Sequence, residues 1–309
     1  MSTLLISHPA CLQHVTPAGH PERADRLRAI EQALEAEKFQ SLTRVEAPMA
    51  EAETIALCHP MEYIVELREA SPREGMVRLD ADTSMSPGTF EAALRAVGGA
   101  TLAVDEVLAK KTTNAFVATR PPGHHAETAR PMGFCLFDNA AIAARHAQKQ
   151  HGIARVAVVD FDVHHGNGSQ EIFWADKSVI YCSTHQMPLF PGTGAVIESG
   201  THNTVVNAPL RPGDGGEQFR AAFETRILPR LRDFKPELVI ISAGFDAHMR
   251  DPLANINLTE DDFVWVTQNI MDVADECADG RVVSLLEGGY DLRALGNSVA
   301  AHVRTLMQG

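Results

Sequence analysis

The chain has 309 residues, a formal net charge of −13 and 45% hydrophobic residues. That length suits one large α/β domain over residues 1–309 with a sizeable core, and no linker splits it. No stretch approaches the roughly 20 apolar residues of a membrane span. No Lys/Arg cluster marks a nucleic-acid-binding face, and the opening residues lack the basic region of a secretory signal.

The acidic balance would attract a cationic substrate or a basic peptide, and it equally describes an ordinary acidic surface. The five cysteines, Cys11, Cys58, Cys135, Cys182 and Cys277, are odd in number and share no metal-type spacing. They point to a reducing, cytoplasmic setting and against a disulfide framework.

In chain order, Leu4–Ser7 reads as a first strand. Phe90, Leu94, Val97, Thr101, Val104 and Leu108 then recur at helical spacing, one face of a helix. Ala115–Thr119 is a second strand, followed by Arg120-Pro121-Pro122-Gly123-His124-His125. Val156–Phe161 is a third, followed by Asp162-Val163-His164-His165-Gly166-Asn167-Gly168. Val179–Ser183 and Leu238–Ser242 follow, the latter leading into Ala243-Gly244-Phe245-Asp246. Thr259-Glu260-Asp261-Asp262 resembles a capping box, opening a helix with Phe263, Val266 and Ile270 inward. Val282–Leu286 leads into Glu287-Gly288-Gly289-Tyr290. Short apolar runs of this kind read as buried parallel strands, and their alternation with helices gives a doubly wound α/β domain. Ligands bind such sheets outside the carboxyl ends of the strands.

Four strand ends thus deliver His, Asp and Tyr to one rim. Asp162 and His164 are two apart, which on an extended segment puts them on one side. Asp246 could close the set. One imidazole and two carboxylates leave an open position, as a catalytic zinc requires; a hydrogen-bonded structural pair is the plainer alternative. Such oxygen and nitrogen ligands also accept Fe²⁺. His124 and His125 follow a rigid Pro-Pro-Gly turn and could accept a proton near neutral pH, or be ordinary loop histidines. Tyr290, in a Gly-Gly-Tyr turn, could hydrogen-bond a developing oxyanion or simply pack.

Taken together, residues 120–126, 133–139, 160–168, 190–194, 243–248 and 287–290 look like the motifs of the histone-deacetylase superfamily, in order along nearly the whole chain. Asn167 and the Ala-Gly-Phe-Asp run are similar to its class II branch. The resemblance implies an arginase-like fold, a single three-layer α/β domain around an eight-stranded parallel sheet. It implies a zinc held by Asp162, His164 and Asp246, with His125 as general base and acid, His124 tuning the electrostatics and Tyr290 stabilising the tetrahedral intermediate. Asp160 matches the carboxylate facing His124 and Asn167 the residue facing His125. An Asn there should leave His125 less basic than an Asp would.

The same resemblance implies two structural potassium sites. The inner one involves Asp160, Asp162, His164, Ser183 and Thr184, several through carbonyls; the outer one involves Phe173, Asp176 and Val179. Phe134, beside Gly133, and Phe190 match the aromatics of an acyl-lysine tunnel, and Asp82 a rim position that contacts substrate backbone. Polyamine-selective relatives place a Glu where this chain has Leu253. The resulting expectation is hydrolysis of acyl-lysine or a similar acylated amine, with an acetylpolyamine amidohydrolase as the alternative. A catalytically silent acyl-amine binder would lack Tyr290 or a metal ligand, and a two-manganese ureohydrolase would need more carboxylates than Asp160, Asp162 and Asp246. No nucleic-acid or membrane partner is expected; oligomeric state and acyl length stay open.

Overall fold

The β-branched runs assemble into one sheet in the computed structural model, which describes residues 2–308. Its strands are β1 (Thr3–Ser7), β2 (Thr43–Glu46), β5 (Asn114–Val117), β6 (Val156–Asp160), β7 (Val179–Gln186), β8 (Val205–Leu210), β9 (Leu238–Ala243) and β10 (Val282–Leu286); β3 (Val77–Arg78) and β4 (Ser84–Met85) form a separate hairpin. The sheet order is β2-β1-β5-β10-β9-β6-β7-β8, and every pairing is parallel. The four strands that carry the histidine, aspartate and tyrosine motifs, β5, β10, β9 and β6, are therefore consecutive in the middle of the sheet.

Side-chain alternation along these strands divides the core in two. Leu5, Phe116, Ala157, Val159 and Ile241 face one side, against the helices α1 (Asp25–Leu34), α9 (Glu260–Cys277) and α10 (Leu292–Gln308). Leu4, Ile6, Val117, Val158 and Ile240 face the other, against α4 (Thr89–Leu108) and α5 (Asn139–His151). The result is a three-layer α/β domain whose sheet is buried on both faces, as parallel sheets must be. Smaller helices fill the remaining connections: α2 (Ala52–Ile55), α3 (Met61–Ala70), α6 (Asn167–Phe173), α7 (Gly216–Ala222) and α8 (Leu228–Phe234). Among the described residues, no helix is long and apolar enough to cross a membrane.

The six expected strands are present, with ends shifted by up to three residues. Besides the short β3–β4 hairpin, two strands of the main sheet escape a sequence reading, and both are its edges. β2 is exposed along its whole length, so it carries no apolar run. β8 holds Asn207 and Pro209, and proline is tolerated only at such an edge. The capping box at Thr259 forms as expected, with Asp262 as its partner and Phe263, Val266 and Ile270 buried. The apolar face of α4 is wider than the expected stripe. Val97, Thr101 and Val104 are buried, but so are Ala92, Ala96, Ala100 and Ala103, because α4 packs on the sheet and on residues 47–50 at once.

One histidine is sealed into the core. His302 of α10 sits between α9 and β10, packed against Phe116, Phe161 and Phe245. The Thr267 hydroxyl donates to the Phe263 carbonyl, so its oxygen accepts from His302 Nδ1 at 2.6 Å; His302 Nε2 then accepts from Ser284 at 2.8 Å. Both ring nitrogens are satisfied only in the neutral form, and burial pushes this histidine down to about 3. The unfolded chain takes up the proton near pH 6.5, so stability is full above that pH and falls as pH drops towards 3. This residue should account for about 2 kcal/mol of loss between pH 7 and pH 5. Urea unfolding of wild type and His302→Gln at the two pH values should show a smaller drop in the variant; equal drops would place the linked proton elsewhere.

Candidate active site

Asp160 is the last residue of β6, and the chain turns directly beyond it through Asp162 and His164. Asp246 lies three residues past the end of β9, and Glu287 to Tyr290 follow β10. Because these strands neighbour one another, their carboxyl ends bring the side chains together. One donor atom each from Asp162, His164 and Asp246 lie within 4.8 Å of one another, and all three residues are buried. His164 Nδ1 is 3.2 Å from Asp162 Oδ1 and 3.0 Å from Asp246 Oδ2.

Backbone amides hold the carboxylates from behind. Gly288 N donates to Asp162 Oδ2 at 2.8 Å, His164 N to Asp162 Oδ1 at 2.9 Å, and Val163 N to Asp246 Oδ1 at 2.8 Å. The backbone must approach closely to do so. A Cβ at Gly244 would lie 2.0 Å from Asp162 Oδ2, and one at Gly288 2.2 Å from Asp246 Oδ2. Burial alone would depress His164, yet the two carboxylates outweigh it and lift it to about 10. Burial and the Asp162 charge raise Asp246 to about 7. Two buried carboxylates around one imidazole, with a cradle that only glycine leaves open, fit a divalent cation of the zinc class.

The histidine pair sits beside this set. His124 Nδ1 is 2.9 Å from Asp160 Oδ2, which also accepts from the Tyr181 hydroxyl at 2.9 Å. Burial opposes the charge on His124, but Asp160, Asp162 and Glu287 raise it well above the ordinary histidine range. His125 shows the opposite behaviour: burial, then the neighbouring His124 and His164, hold it well below that range. Its Nδ1 is 2.9 Å from Asn167 Oδ1, while Asn167 Nδ2 donates to Glu127 at 2.8 Å. The amide so oriented accepts from His125 Nδ1–H and leaves Nε2 as the acceptor. Burial, not the amide, is the main reason that His125 is weakly basic.

A cavity of about 270 Å³ opens above these groups, lined by Asp82, His125, Gly133, Phe134, His164, Leu189, Phe190, Leu253 and Tyr290. The Phe190 ring lies edge-on to His125 at 5.1 Å, and Phe134 edge-on to Tyr290 at 6.0 Å. Asp82 Oδ1 accepts from Gly133 N at 3.1 Å and from the Thr83 hydroxyl at 2.9 Å, so the carboxylate also anchors the turn that carries Phe134. Tyr290 N donates to Asp251 Oδ2 and Leu253 N to Asp251 Oδ1, at 2.7 and 3.0 Å. Burial and the Asp246 charge keep the Tyr290 hydroxyl protonated far above neutral pH. Four larger surface hollows, of about 470, 520, 550 and 590 Å³, are lined by none of these residues.

The remaining expected positions divide. Ser183 and Thr184 lie on β7 beside Asp160; Ser183 pairs with His185, whereas the buried Thr184 hydroxyl has no partner among the described residues. Phe173 ends α6, Val179 opens β7 and Asp176 lies in the turn between them; none of the three lines the cavity. The Asp176 carboxylate is taken by Arg145 and Ser178, so a cation there would meet backbone carbonyls.

Sequence reasoning passed over a buried support. Arg26 donates to the carbonyls of Gly289 and Glu287, at 2.6 and 2.5 Å, and lies 5.0 Å from the centre of the Tyr290 ring. Glu22 binds Arg26 at 3.1 Å and also Arg120. Glu287 accepts from the amides of Gly123 and His124, at 2.7 and 3.2 Å. A Glu and an Arg four apart look like a surface helix pair; only their complete burial sets them apart.

Residues 20–306 match the family described as the histone deacetylase domain. The chain is 40% identical to "Histone deacetylase 10, chloroplastic" of Oryza sativa subsp. japonica, over 93% of this chain and 70% of that protein. It is also 40% identical to a "Probable deacetylase" of Archaeoglobus fulgidus, over 94% of this chain and 82% of the relative. The crystal structure of the HDA15 HD domain superposes with a TM-score of 0.94 at 35% identity, covering 99% of this chain and 88% of that one. The chain belongs to the histone deacetylase family. Membership supports a hydrolase of the deacetylase and amidohydrolase type.

The cradle makes a specific claim. Gly288→Ala should lose divalent metal at this set while keeping its fold, because the added methyl would occupy carboxylate space. Metal content by plasma emission, with circular dichroism as the fold control, checks it; full metal occupancy in a folded variant would contradict the assignment.

Proposed function

We propose that this chain, a single catalytic domain, is a zinc-dependent hydrolase that removes an acyl group from an amine nitrogen. Acyl-lysine side chains are the substrate class favoured. The observation that carries the reading is the convergence of Asp162 and Asp246 on His164, which lines a largely apolar-walled cavity, beside two histidines with opposite electrostatics. Zinc, held by those three residues, would supply Lewis-acid polarisation of the acyl carbonyl and acidify a water.

The chain's own groups do the rest. His125 takes the water's proton at Nε2 and returns it to the departing amine nitrogen. His124 stays protonated against Asp160 and adds positive charge beside the reacting carbon. Tyr290 donates its hydroxyl proton as a hydrogen bond to the oxygen as it gains charge, an interaction worth more in the transition state than before it. Phe134 and Phe190 grip the methylenes of the acylated side chain, and Asp82 meets the substrate backbone at the rim. Potassium is proposed beside β7 at Asp160, Asp162, His164, Ser183 and Thr184, which the unpartnered Thr184 hydroxyl supports. A second potassium is proposed at the carbonyls of Phe173, Asp176 and Val179.

Leu253 gives the mouth a neutral wall, which favours acyl-lysine peptides over acetylpolyamines. The net charge of −13 favours the alternative, a small cationic acetylpolyamine. Turnover of acetyl-lysine peptide against acetylspermidine separates them: peptide preference is expected, and polyamine preference would overturn the substrate assignment. Leu253→Glu should shift preference towards the polyamine by about 1–3 kcal/mol.

Tyr290→Phe tests the mechanism. Its kcat should fall about 10²–10³-fold, the range for one oxyanion donor, with substrate and zinc still bound. Single-turnover rates with a separate affinity measurement decide it. Lost binding with an unchanged chemical rate would make Tyr290 a wall of the pocket.

A further inference from the structure

We infer that Asp105, His146 and His151 form a second binding site for a divalent transition-metal ion, apart from the cavity described above. Asp105 lies on α4, and His146 and His151 lie near the end of α5. Both imidazoles aim Nε2 at the same atom: His146 is 2.7 Å and His151 2.6 Å from Asp105 Oδ1. One donor atom from each group lies within 4.8 Å of the other two.

The carboxylate has no other cation. Among the described residues, neither Lys nor Arg pairs with Asp105; nearby Lys111 is committed to Glu106 at 2.8 Å, and Arg145 to Asp176. Tetrahedral ligands at 2.0–2.1 Å from an ion stand about 3.3 Å apart, so each ring-to-carboxylate separation must open by roughly 0.7 Å. The side chains of Asp105 and His151 are 45% and 28% exposed, which lets an ion enter and water complete its shell. Two imidazoles and a carboxylate suit Zn²⁺, Ni²⁺ or Cu²⁺ over Mg²⁺ or Ca²⁺.

The position fixes what such an ion could do. α4 leads into β5 and α5 into β6, so both helices end at the amino edge of the sheet, opposite the strand ends that form the cavity. An ion here would touch no substrate. It would staple the last turns of two helices that cover one face of the sheet, and stabilise the folded chain by mass action.

Zn²⁺ titration of metal-stripped, full-length protein by calorimetry tests this, alongside His146→Ala/His151→Ala. Wild type should bind one more equivalent than the double variant, and Ni²⁺ should raise the unfolding midpoint of wild type more than that of the variant. Asp105→Asn, which keeps both rings, should weaken the extra equivalent at least about tenfold. Because the criterion is the difference between the two proteins, it holds whether or not the cavity set takes zinc. Equal stoichiometry and equal Ni²⁺ shifts would show that the three groups are only a hydrogen-bonded clamp between helices.

Discussion

Asp162 and Asp246 put two carboxylates inside the protein, 1% and 0% exposed, both facing Nδ1 of the His164 imidazole. Burying like charges together is unfavourable unless each is hydrogen-bonded and a cation balances them. Three backbone amides supply the hydrogen bonds, and they come from two separate chain segments, 163–164 and 288. Those segments reach the carboxylates only because β6, β9 and β10 are consecutive and in register, with Asp160 beside Ser242 and Leu286 beside Ala243. The charge balance of the site and the strand order of the sheet are therefore one constraint. Glycine at 244 and 288 is its local expression, since any side chain there would fill the space of a carboxylate oxygen.

The turns that carry the remaining groups are tied to that centre by buried ions. Glu22 joins Arg26 to Arg120; Arg26 holds the carbonyls before Tyr290; Glu287 holds the amides before and at His124. Glu287 directly, and Arg120–Glu22–Arg26 as a chain, connect the turn after β5 to the turn after β10, so the histidine pair and the tyrosine are placed relative to each other, not independently. Removing one partner of such a network leaves an unpaired buried charge, a loss of about 3–5 kcal/mol. The charged groups are concentrated where orientation matters most, while the apolar layers on both faces of the sheet supply the bulk of the stability.

Much of this was legible in the sequence because the chemistry sits at strand ends, where short motifs keep their neighbours. Asp162-Val163-His164 puts two candidate donors on one side, and each motif follows a short apolar run that reads as a buried strand. The sheet's edge strands were not legible: β2 has no buried face, and β8 contains Asn207 and Pro209. Contacts between distant segments were hidden as well. Glu22 and Arg26 belong to no motif, and Asp82 gives no hint that it accepts from Gly133, 51 residues away. Asp251 lies in an unremarkable loop, and only the folded chain brings it under Tyr290. The family was readable from six motifs in order along the chain; the scaffold that positions them depends on long-range pairing that no local pattern encodes.

Everything proposed for the site requires that the two buried carboxylates and the imidazole hold a metal ion. Anomalous diffraction at the zinc absorption edge, on crystals of zinc-loaded and catalytically active protein, tests it most directly. An anomalous peak is expected within bonding distance of an oxygen of Asp162, Nδ1 of His164 and an oxygen of Asp246. An active enzyme with no peak between those three residues would contradict it.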